Sequence, residues 1–460
     1  MTDWCSSLLA GITFAEAGTA GRNPIGWTGY EPRSAVRHGI GRVAGHEAVV
    51  CVWDFATYGG SLGEADASHI AAAAALAAEL RRPLLTVVRT GGTRLQEGVA
   101  ALVGIARTGI ALADLAAAGV PHVSIADHPT TGGVWVSVVS RADLRAGMAG
   151  ATVGFSGPRV LEAMTGEPLP SAANTAEAAA AAGLLDAVLS TDGVAKWLAT
   201  VFTALAPAGR VDPQPAVHVP PTESGGWDQV QRARDPARIN GAALLDVVLD
   251  GAVDLAAADE TVRAVVGRSA ADRPTVGVAV AARRDGRPTT TGFGLLARAA
   301  ELADRIGADF CTLVDTPGAD ARPAQEQSGL AAAIDVALLR LLECRSPSVA
   351  VVHGEGGSGG ALAATVTDRV LVTTSGYFTA LAPEGAAIAL HTTPQEAADQ
   401  GAVTPAQLCR LGFADELISD HATEVRIAVG TSLLFLGEQQ REVRLAARRA
   451  RWSRPLPGRC

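Results

Sequence analysis

A glycine cluster between a strand pattern and a helix pattern is the feature that most constrains this chain. Residues 349–352 predict a buried strand, residues 354–360 predict a tight turn, and the alanine-rich run from Ala361 predicts a helix. Five of the seven turn residues are glycine, which suits a backbone that approaches a ligand closely. We expect its free amides to stabilise a negative charge such as an enolate or oxyanion.

The same plan occurs elsewhere in the chain, so the glycine cluster is one copy of a repeated unit. Strand, glycine turn and helix patterns follow one another at 83–98 and 121–144 in the first half, and at 310–329 and 347–372 in the second. The spacing from Gly92 to Gly133 is 41 residues, and from Gly318 to Gly360 it is 42 residues. Two such units per half, repeated once, predict a duplicated domain.

The break between the two halves is predicted at residues 206–226, which hold five prolines and little periodicity. This assigns residues 1–205 to an N-terminal domain, 206–226 to a linker and 227–460 to a C-terminal domain. A chain of 460 residues with 48% hydrophobic content can bury two cores of ordinary size.

Charge and cysteine content exclude several classes of function. A net charge of −9 argues against a nucleic-acid surface, and the arginine-rich end at 441–459 is predicted to be a solvated helix face and tail. The six cysteines form no C-x-x-C pair, which favours reduced thiols over a zinc site or a disulfide framework. No signal peptide or sustained apolar span is evident, so we expect a cytoplasmic protein without a metal.

Two other interpretations of the glycine cluster remain open at this point. Ser358 satisfies G-x-S-x-G between a strand and a helix, which is the pattern of a nucleophilic serine. A catalytic triad would then need Asp368 or Asp399 together with His391 or His421. A glycine-rich turn matches this pattern easily, and a tight turn without chemistry is the other alternative.

The ordered motifs resemble the carboxyltransferase component of biotin-dependent acetyl-CoA and acyl-CoA carboxylases. The first half resembles its β part and the second half its α part. The first half carries the matching pieces GGSLG at 59–63, TGGTRLQEG at 90–98, DHPTTGGV at 127–134, GFSGPRVLE at 154–162 and EPLP at 167–170. The second half carries DTPGA at 315–319, HGEGGSGGALA at 353–363, DRVLV at 368–372 and LAPEGAAIAL at 381–390.

This resemblance implies an α/β fold of two tandem crotonase-like domains, each a spiral of strand-strand-helix units. It implies transfer of a carboxyl group between carboxybiotin and the α-carbon of a short acyl thioester, such as acetyl-CoA giving malonyl-CoA for fatty acid or polyketide biosynthesis. In that scheme, the amides of Gly91 and Gly92 would hold the thioester oxygen. Those of Gly360 and Ala361 would hold the biotin oxygen, in a second oxyanion hole.

Other residues enter the site through the same resemblance. No acid/base pair is expected, because the N1 atom of decarboxylated biotin can take the α-proton. We expect Arg94, Gln96 and Glu97 to order the turn, and His122, His353 and His391 to be structural. The substrate-binding residues that the motifs imply are Gly132, Gly133, Gly357, Ser358, Gly359 and Arg159, the last against a CoA phosphate.

The partners follow from what the sequence lacks. It has no Met-Lys-Met biotinylation motif and no ATP-grasp machinery, so the biotin carboxyl carrier protein and the biotin carboxylase would be separate proteins. The family also implies a homo-oligomer, whose site lies between the β half of one protomer and the α half of another.

Two alternatives to this function remain open. GGSLGE at 59–64 and TGGTRLQE at 90–97 also resemble the malonate decarboxylase catalytic subunit, which implies a biotin-independent malonyl-thioester decarboxylase. The usual serine-alanine-serine before the β glycine pair is Val88-Arg89-Thr90 here, and a pocket blocked by Arg89 would favour a non-catalytic scaffold subunit of a carboxylase.

Overall fold

The computed structural model describes residues 3–15, 21–167, 173–213, 217, 219–220, 224–281, 283 and 286–456. It divides the chain into two compact units, Met1–Thr203 (unit 1) and Ala204–Cys460 (unit 2). The stretch 206–226, predicted as a linker, falls in unit 2. Most of its described residues have no regular secondary structure, and residues 214–216, 218 and 221–223 lie outside the described residues.

Unit 1 is a twisted sheet covered by helices. Its strands are β1 (Ile12–Phe14), β2 (Val36–Val43), β3 (His46–Trp53), β4 (Leu84–Thr90), β5 (His122–Thr131), β6 (Leu144–Met148), β7 (Val153–Gly154) and β8 (Ala187–Leu189). Its helices are α1 (Asp3–Leu8), α2 (Glu64–Leu80), α3 (Val99–Ala117), α4 (Pro158–Thr165), α5 (Ala176–Ala181) and α6 (Val194–Ala204). Short helical turns occur at Tyr58–Gly60, Leu95–Glu97, Trp135–Val139 and Thr191–Gly193.

Unit 2 repeats this construction with more helices. Its strands are β9 (Asp250–Leu255), β10 (Val262–Arg268), β11 (Pro274–Val280), β12 (Asp309–Thr316), β13 (Ser348–Gly357), β14 (Arg369–Thr373), β15 (Tyr377–Thr379) and β16 (Glu416–Ile418). Its helices are α7 (Gly226–Ala233), α8 (Gly241–Val248), α9 (Thr290–Ile306), α10 (Pro323–Gln327), α11 (Leu330–Glu343), α12 (Ser358–Ala363), α13 (Pro383–Leu390), α14 (Pro394–Gly401), α15 (Pro405–Arg410), α16 (Ala422–Gly437) and α17 (Arg441–Ser453).

The two sheets have the same strand order, which confirms the predicted duplication. Unit 1 runs β1-β2-β3-β4-β5-β6-β8 with β7 on β5, and unit 2 runs β9-β10-β11-β12-β13-β14-β16 with β15 on β13. Strands β4 and β12 are therefore equivalent, as are β5 and β13. Strand β4 is parallel to its neighbour β5, with Thr90 beside Thr130, and β12 is parallel to its neighbour β13, with Thr316 beside Gly356. The glycine turns that follow neighbouring strands thus meet at one edge of each sheet.

Strand β13 shows why the sequence predicts a continuous apolar run there. Val349 and Val351 pack into a core under α8 and α16, whereas Ala350 and Val352 pack into a second core on the opposite face. A parallel strand buried on both faces needs apolar residues at every position. The prediction that the turn begins at Gly354 is wrong, because β13 continues to Gly357 and pairs there with β15.

The C-terminal helix α17 is anchored by two buried arginines. Arg448 is fully buried and donates to both carboxylate oxygens of Asp368, at 2.8 and 2.6 Å, and to Ser348 Oγ at 2.9 Å. Arg444 also contacts Asp368, at 3.2 Å. The prediction of a wholly solvated arginine face is therefore wrong, since one face of the helix docks through buried ion pairs.

Helix α3 is long and apolar enough to cross a membrane by composition, with a mean hydropathy of 1.7. One such helix is weak evidence for a span, because core helices have the same composition. Along α3, the side chains of Val99, Leu102, Val103 and Ile110 are exposed. This leaves an apolar surface on unit 1 that the described residues of the chain do not cover.

Arg448→Ala should destabilise unit 2 by about 3–5 kcal/mol, because it leaves the Asp368 carboxylate buried with its main partner removed. Arg449→Ala, at the exposed neighbouring position, should change the free energy of unfolding by less than about 0.5 kcal/mol. Urea unfolding followed by circular dichroism measures both. Equal stability of the two variants would contradict the anchoring role of Arg448.

Candidate active site

In unit 1, the two predicted glycine turns pack backbone against backbone. Gly92 has a φ of +115° and Gly132 a φ of +74°, and both angles favour glycine. A methyl group built on Gly132 would lie 2.6 Å from Gly92 Cα. The turn after β4 and the turn after β5 are therefore in direct contact, as the spacing of the motifs predicts.

The amides of these turns are not equally available. The Gly91 N–H donates to Gly59 O at 2.8 Å, and the Gly92 N–H donates to Thr90 Oγ1 at 3.0 Å. A carbonyl of the fold occupies the Gly91 amide, so Gly91 serves the turn and does not offer a free donor. The predicted role of Gly91 is corrected accordingly. Gly133 starts a helical turn, where an amide has no partner within the helix.

A buried ionic cluster supports the unit 1 turn. Arg94 and Asp66 are both fully buried and pair at 2.7 Å, and Glu97, also buried, lies 3.6 Å from Arg94. Asp66 accepts the Gly63 N–H at 2.7 Å and Glu97 accepts the Glu64 N–H at 2.6 Å. The cluster thus fixes the start of α2 to the segment that follows Gly92, which is an ordering role.

Burial perturbs the titration of this cluster. The pKa of Asp66 is raised by burial, and Arg94 opposes that shift. The pKa of Tyr30 is raised to about 12, first by burial and then by its hydrogen bond to Glu97. Gln96 lies with Glu97 in the short turn Leu95–Glu97.

Unit 2 builds the equivalent turn with a serine where unit 1 has Gly132. Ser358 has a φ of +62° and follows β13 at the position that Gly132 occupies after β5. Gly357 packs against the neighbouring turn, since a methyl group on it would lie 2.2 Å from Pro317 O. Gly359 faces open space. Thr316 Oγ1 accepts the Gly318 N–H at 3.2 Å, as Thr90 does for Gly92.

Helix α12 begins against the neighbouring turn of unit 2. Gly360 precedes the first intrahelical hydrogen bond of α12, so its amide has no partner within the helix. A methyl group on Gly360 would lie 2.9 Å from the Ala319 nitrogen, so the two turns pack closely there. The roles predicted for Gly360 and Ala361 stay predictions. The motif DTPGA contains Ala319, but no sequence pattern marked its proximity to Gly360.

A cavity of about 590 Å³ opens beside this turn. Ser358 lies in its wall, together with Pro317, Gly318, Ala319, Leu330, Ile334, Leu381, Arg234 and Glu355. Arg234 pairs with Glu355 at 2.9 Å and with Glu384 at 2.6 Å, and Tyr377 donates to Glu355 at 2.7 Å. Burial and the neighbouring Glu355 raise the pKa of Tyr377, so its hydroxyl stays protonated and a donor.

The residues proposed for a serine triad serve other contacts. Asp368 is bound by Arg448 and Arg444, and Asp399 accepts the Trp227 N–H at 2.8 Å. Among the described residues, no hydrogen bond joins Ser358 to either aspartate or to a histidine. The geometry therefore gives Ser358 no base that could activate it.

The three histidines that the sequence analysis expects to be structural have different surroundings. Burial and the nearby Arg238 lower the pKa of His353 to about 3, so it stays neutral. His122 is buried, with Nε2 3.0 Å from Thr86 Oγ1. His391 caps α13 in an exposed left-handed conformation.

Some predicted features cannot be located. The side chain of Arg159 and the end of EPLP at 168–170 lie outside the described residues. Across the described part of the chain, no group of three or more histidine, cysteine, aspartate or glutamate residues is placed to hold a metal ion.

Comparison with known proteins bears on the same regions. Residues 225–432 match a family model described as acetyl co-enzyme A carboxylase carboxyltransferase-like. The acetyl-coenzyme A carboxylase carboxyl transferase subunits beta/alpha of Salinispora tropica is 38% identical over 419 residues, covering 84% of this chain and 74% of the relative. The chain belongs to the carboxyltransferase family of biotin-dependent acyl-CoA carboxylases.

Two further similar proteins support the family and the fold. A probable biotin-dependent acyl-coenzyme A carboxylase beta3 subunit of Mycobacterium tuberculosis is 33% identical over 399 residues, covering 84% of this carboxyltransferase and 80% of the relative. A crystal structure of transcarboxylase 12S with hydrolysed methylmalonyl-coenzyme A superposes with a TM-score of 0.80 at 22% identity, covering 95% of this chain and 89% of the other. The predicted tandem crotonase-like fold is confirmed.

Proposed function

We propose that this carboxyltransferase moves a carboxyl group between carboxybiotin and the α-carbon of a short acyl thioester, acetyl-CoA or a close homologue. The observation that carries the proposal is the glycine turn at the start of α12, where the Gly360 amide has no partner within the helix and the adjacent Ser358 lines the unit 2 cavity. Such an amide suits an oxygen that becomes negative, and a donor in an oxyanion hole contributes roughly 3–4 kcal/mol to catalysis.

The unit 2 turn is proposed to hold the biotin oxygen because Ser358 lines the cavity and the adjacent Gly359 faces open space. At Gly360 a methyl group would lie 2.9 Å from the Ala319 nitrogen, so this position needs glycine for the close packing of the two turns. When bound, carboxybiotin supplies the carboxyl group and, after its release, a nitrogen that can accept the α-proton. The chain itself then needs to bind, orient and stabilise charge, and no side-chain base is required.

The unit 1 turn is proposed to hold the thioester oxygen through the amides of Gly92 and Gly133. The Gly92 amide bonds to a hydroxyl, which a stronger anionic acceptor can displace or share. Gly132 and Gly133 allow this turn to pack closely, since a methyl group on Gly132 would lie 2.6 Å from Gly92 Cα and one on Gly133 would lie 2.4 Å from Ile105 Cδ1.

The same reasoning extends to partners and to the domain assignment. We propose that residues 1–205 act as the β-like domain and 227–460 as the α-like domain. The biotin carboxyl carrier protein and biotin carboxylase are proposed to be separate proteins. A cytoplasmic location is proposed because the five cysteines among the described residues are all free thiols.

Incubation of the purified protein with malonyl-CoA, with and without biocytin, tests the function. We expect loss of malonyl-CoA and formation of acetyl-CoA only with biocytin, because the carboxyl group needs an acceptor. Loss without biocytin would support the decarboxylase alternative. Binding of malonyl-CoA without turnover would support the scaffold alternative, provided that the homologous thioester with one more carbon in its acyl chain is not turned over either.

We also propose that the protein is a homo-oligomer. Large apolar side chains are exposed in both units: Leu95, Val99, Phe155 and Met164 in unit 1, and Leu381, Ile388 and Leu390 in unit 2. Of these, Leu381 lies in the wall of the unit 2 cavity. Clustered exposed apolar residues mark association surfaces. The transcarboxylase 12S structure is described as a hexamer assembly, which makes association of this relative reasonable.

Ile388→Asp should weaken this association, because a charge replaces a side chain that is 79% exposed in the isolated chain. Light scattering should show an oligomer for the wild type and a smaller species for the variant, with similar thermal unfolding of unit 2. Val443→Asp, at an exposed position on α17, serves as the matched control. A monomeric wild type would contradict the proposed association.

A further inference from the structure

Arg89 occupies the last position but one of β4, two residues before Gly91. Its Nε donates to His128 O at 2.6 Å, and its Cζ lies 4.8 Å from the centroid of the Phe55 ring. The side chain is half-buried. It therefore lies among three segments at the carboxyl edge of the sheet: its own strand, the segment after β3, and the middle of β5.

The duplicated fold supplies an internal reference for this residue. Because Thr90 pairs with Thr130 and Thr316 with Gly356, Arg89 is equivalent to Asp315. The peptide from His128 to Pro129 is equivalent to the peptide from Gly354 to Glu355.

Arg89 and Asp315 bind opposite sides of this equivalent peptide. Asp315 accepts the Glu355 N–H at 2.8 Å, whereas Arg89 donates to the His128 carbonyl. Pro129 has no N–H, so a carboxylate at position 89 would find no donor there. The absence of an N–H on Pro129 therefore accounts for a basic residue at position 89 where unit 2 has the acidic Asp315.

Asp315 has an ion-pair partner, whereas Arg89 has none among the described residues. Asp315 pairs with Arg238 at 2.8 Å, and about a tenth of each side chain is exposed. Among the residues that the structure describes, Arg89 makes no ion pair, and only its Nε has a hydrogen-bond acceptor. Its two terminal nitrogens keep their donors. Holding the His128 carbonyl uses only Nε, and the contact with Phe55 uses the face of the guanidinium, so the terminal nitrogens remain able to donate to a ligand.

We propose that Arg89 binds an anionic oxygen group of the acyl thioester, either a carboxylate on the acyl chain or a phosphate of the CoA moiety. The inference rests on the proposed function and names a substrate contact of the unit 1 site. The planar guanidinium presents paired donors that match both carboxylate and phosphate. Its stacking on Phe55 fixes the plane of the guanidinium, so little side-chain freedom is lost on binding.

Titration calorimetry with malonyl-CoA and with malonyl-pantetheine, which lacks the nucleotide phosphates, distinguishes the two sources. We expect Arg89→Met to weaken malonyl-CoA binding by at least about tenfold. Equal weakening for both thioesters assigns the acyl carboxylate, and weakening for malonyl-CoA alone assigns a phosphate. Arg89→Lys should recover part of the affinity, because it keeps the charge without the paired donors.

Arg42→Met, at an exposed position on β2, is the matched control and should bind both thioesters as the wild type does. Unchanged affinity of Arg89→Met for both thioesters overturns the inference, even where the wild type turns over malonyl-CoA with biocytin. Weakened binding in a protein without biocytin-dependent turnover supports the inference and overturns the proposed function. A wild type that binds neither thioester overturns both. Thermal unfolding of Arg89→Met shows whether the variant is folded.

Discussion

The close approach of two strand-end turns is the constraint on which the rest of this structure depends. In unit 1, the backbones of Gly92 and Gly132 touch, and in unit 2, Gly357 lies against Pro317. Such contact is possible only where side chains are missing. It brings amides from two parallel strands to one edge of the sheet, and we propose that these amides stabilise the anion in this carboxyltransferase.

The duplicated units support the same turn with different chemistry. Unit 1 uses the fully buried Arg94 and Asp66 to fix the segment after Gly92. Unit 2 uses Arg234 and Glu355 beside its cavity, with Tyr377 as a further donor. Buried charges are tolerated in both places because each is paired and hydrogen-bonded. The two units therefore share the backbone geometry of the turn and differ in the side chains that stabilise it.

The sequence predicted the fold well because its signals are local and repeated. Buried parallel strands require continuous apolar residues, and positive φ angles favour glycine, so β13 and Gly92 could both be found without coordinates. The availability of individual amides could not be predicted. The acceptor of the Gly91 N–H is the carbonyl of Gly59, far away in sequence, and the proximity of Ala319 to Gly360 depends on the packing of two turns. The burial of Arg448 was missed because charge alone does not reveal a paired acid.

A matched pair of glycine substitutions tests most directly whether backbone amides carry the chemistry. Gly360→Ala places a methyl group 2.9 Å from the Ala319 nitrogen, whereas Gly294→Ala, in α9, places it in open space. We expect Gly360→Ala to lower kcat for biocytin-dependent loss of malonyl-CoA by about 100-fold or more, in a variant that circular dichroism shows to be folded, and Gly294→Ala to keep wild-type activity. Full activity of Gly360→Ala would contradict this role of the backbone amides.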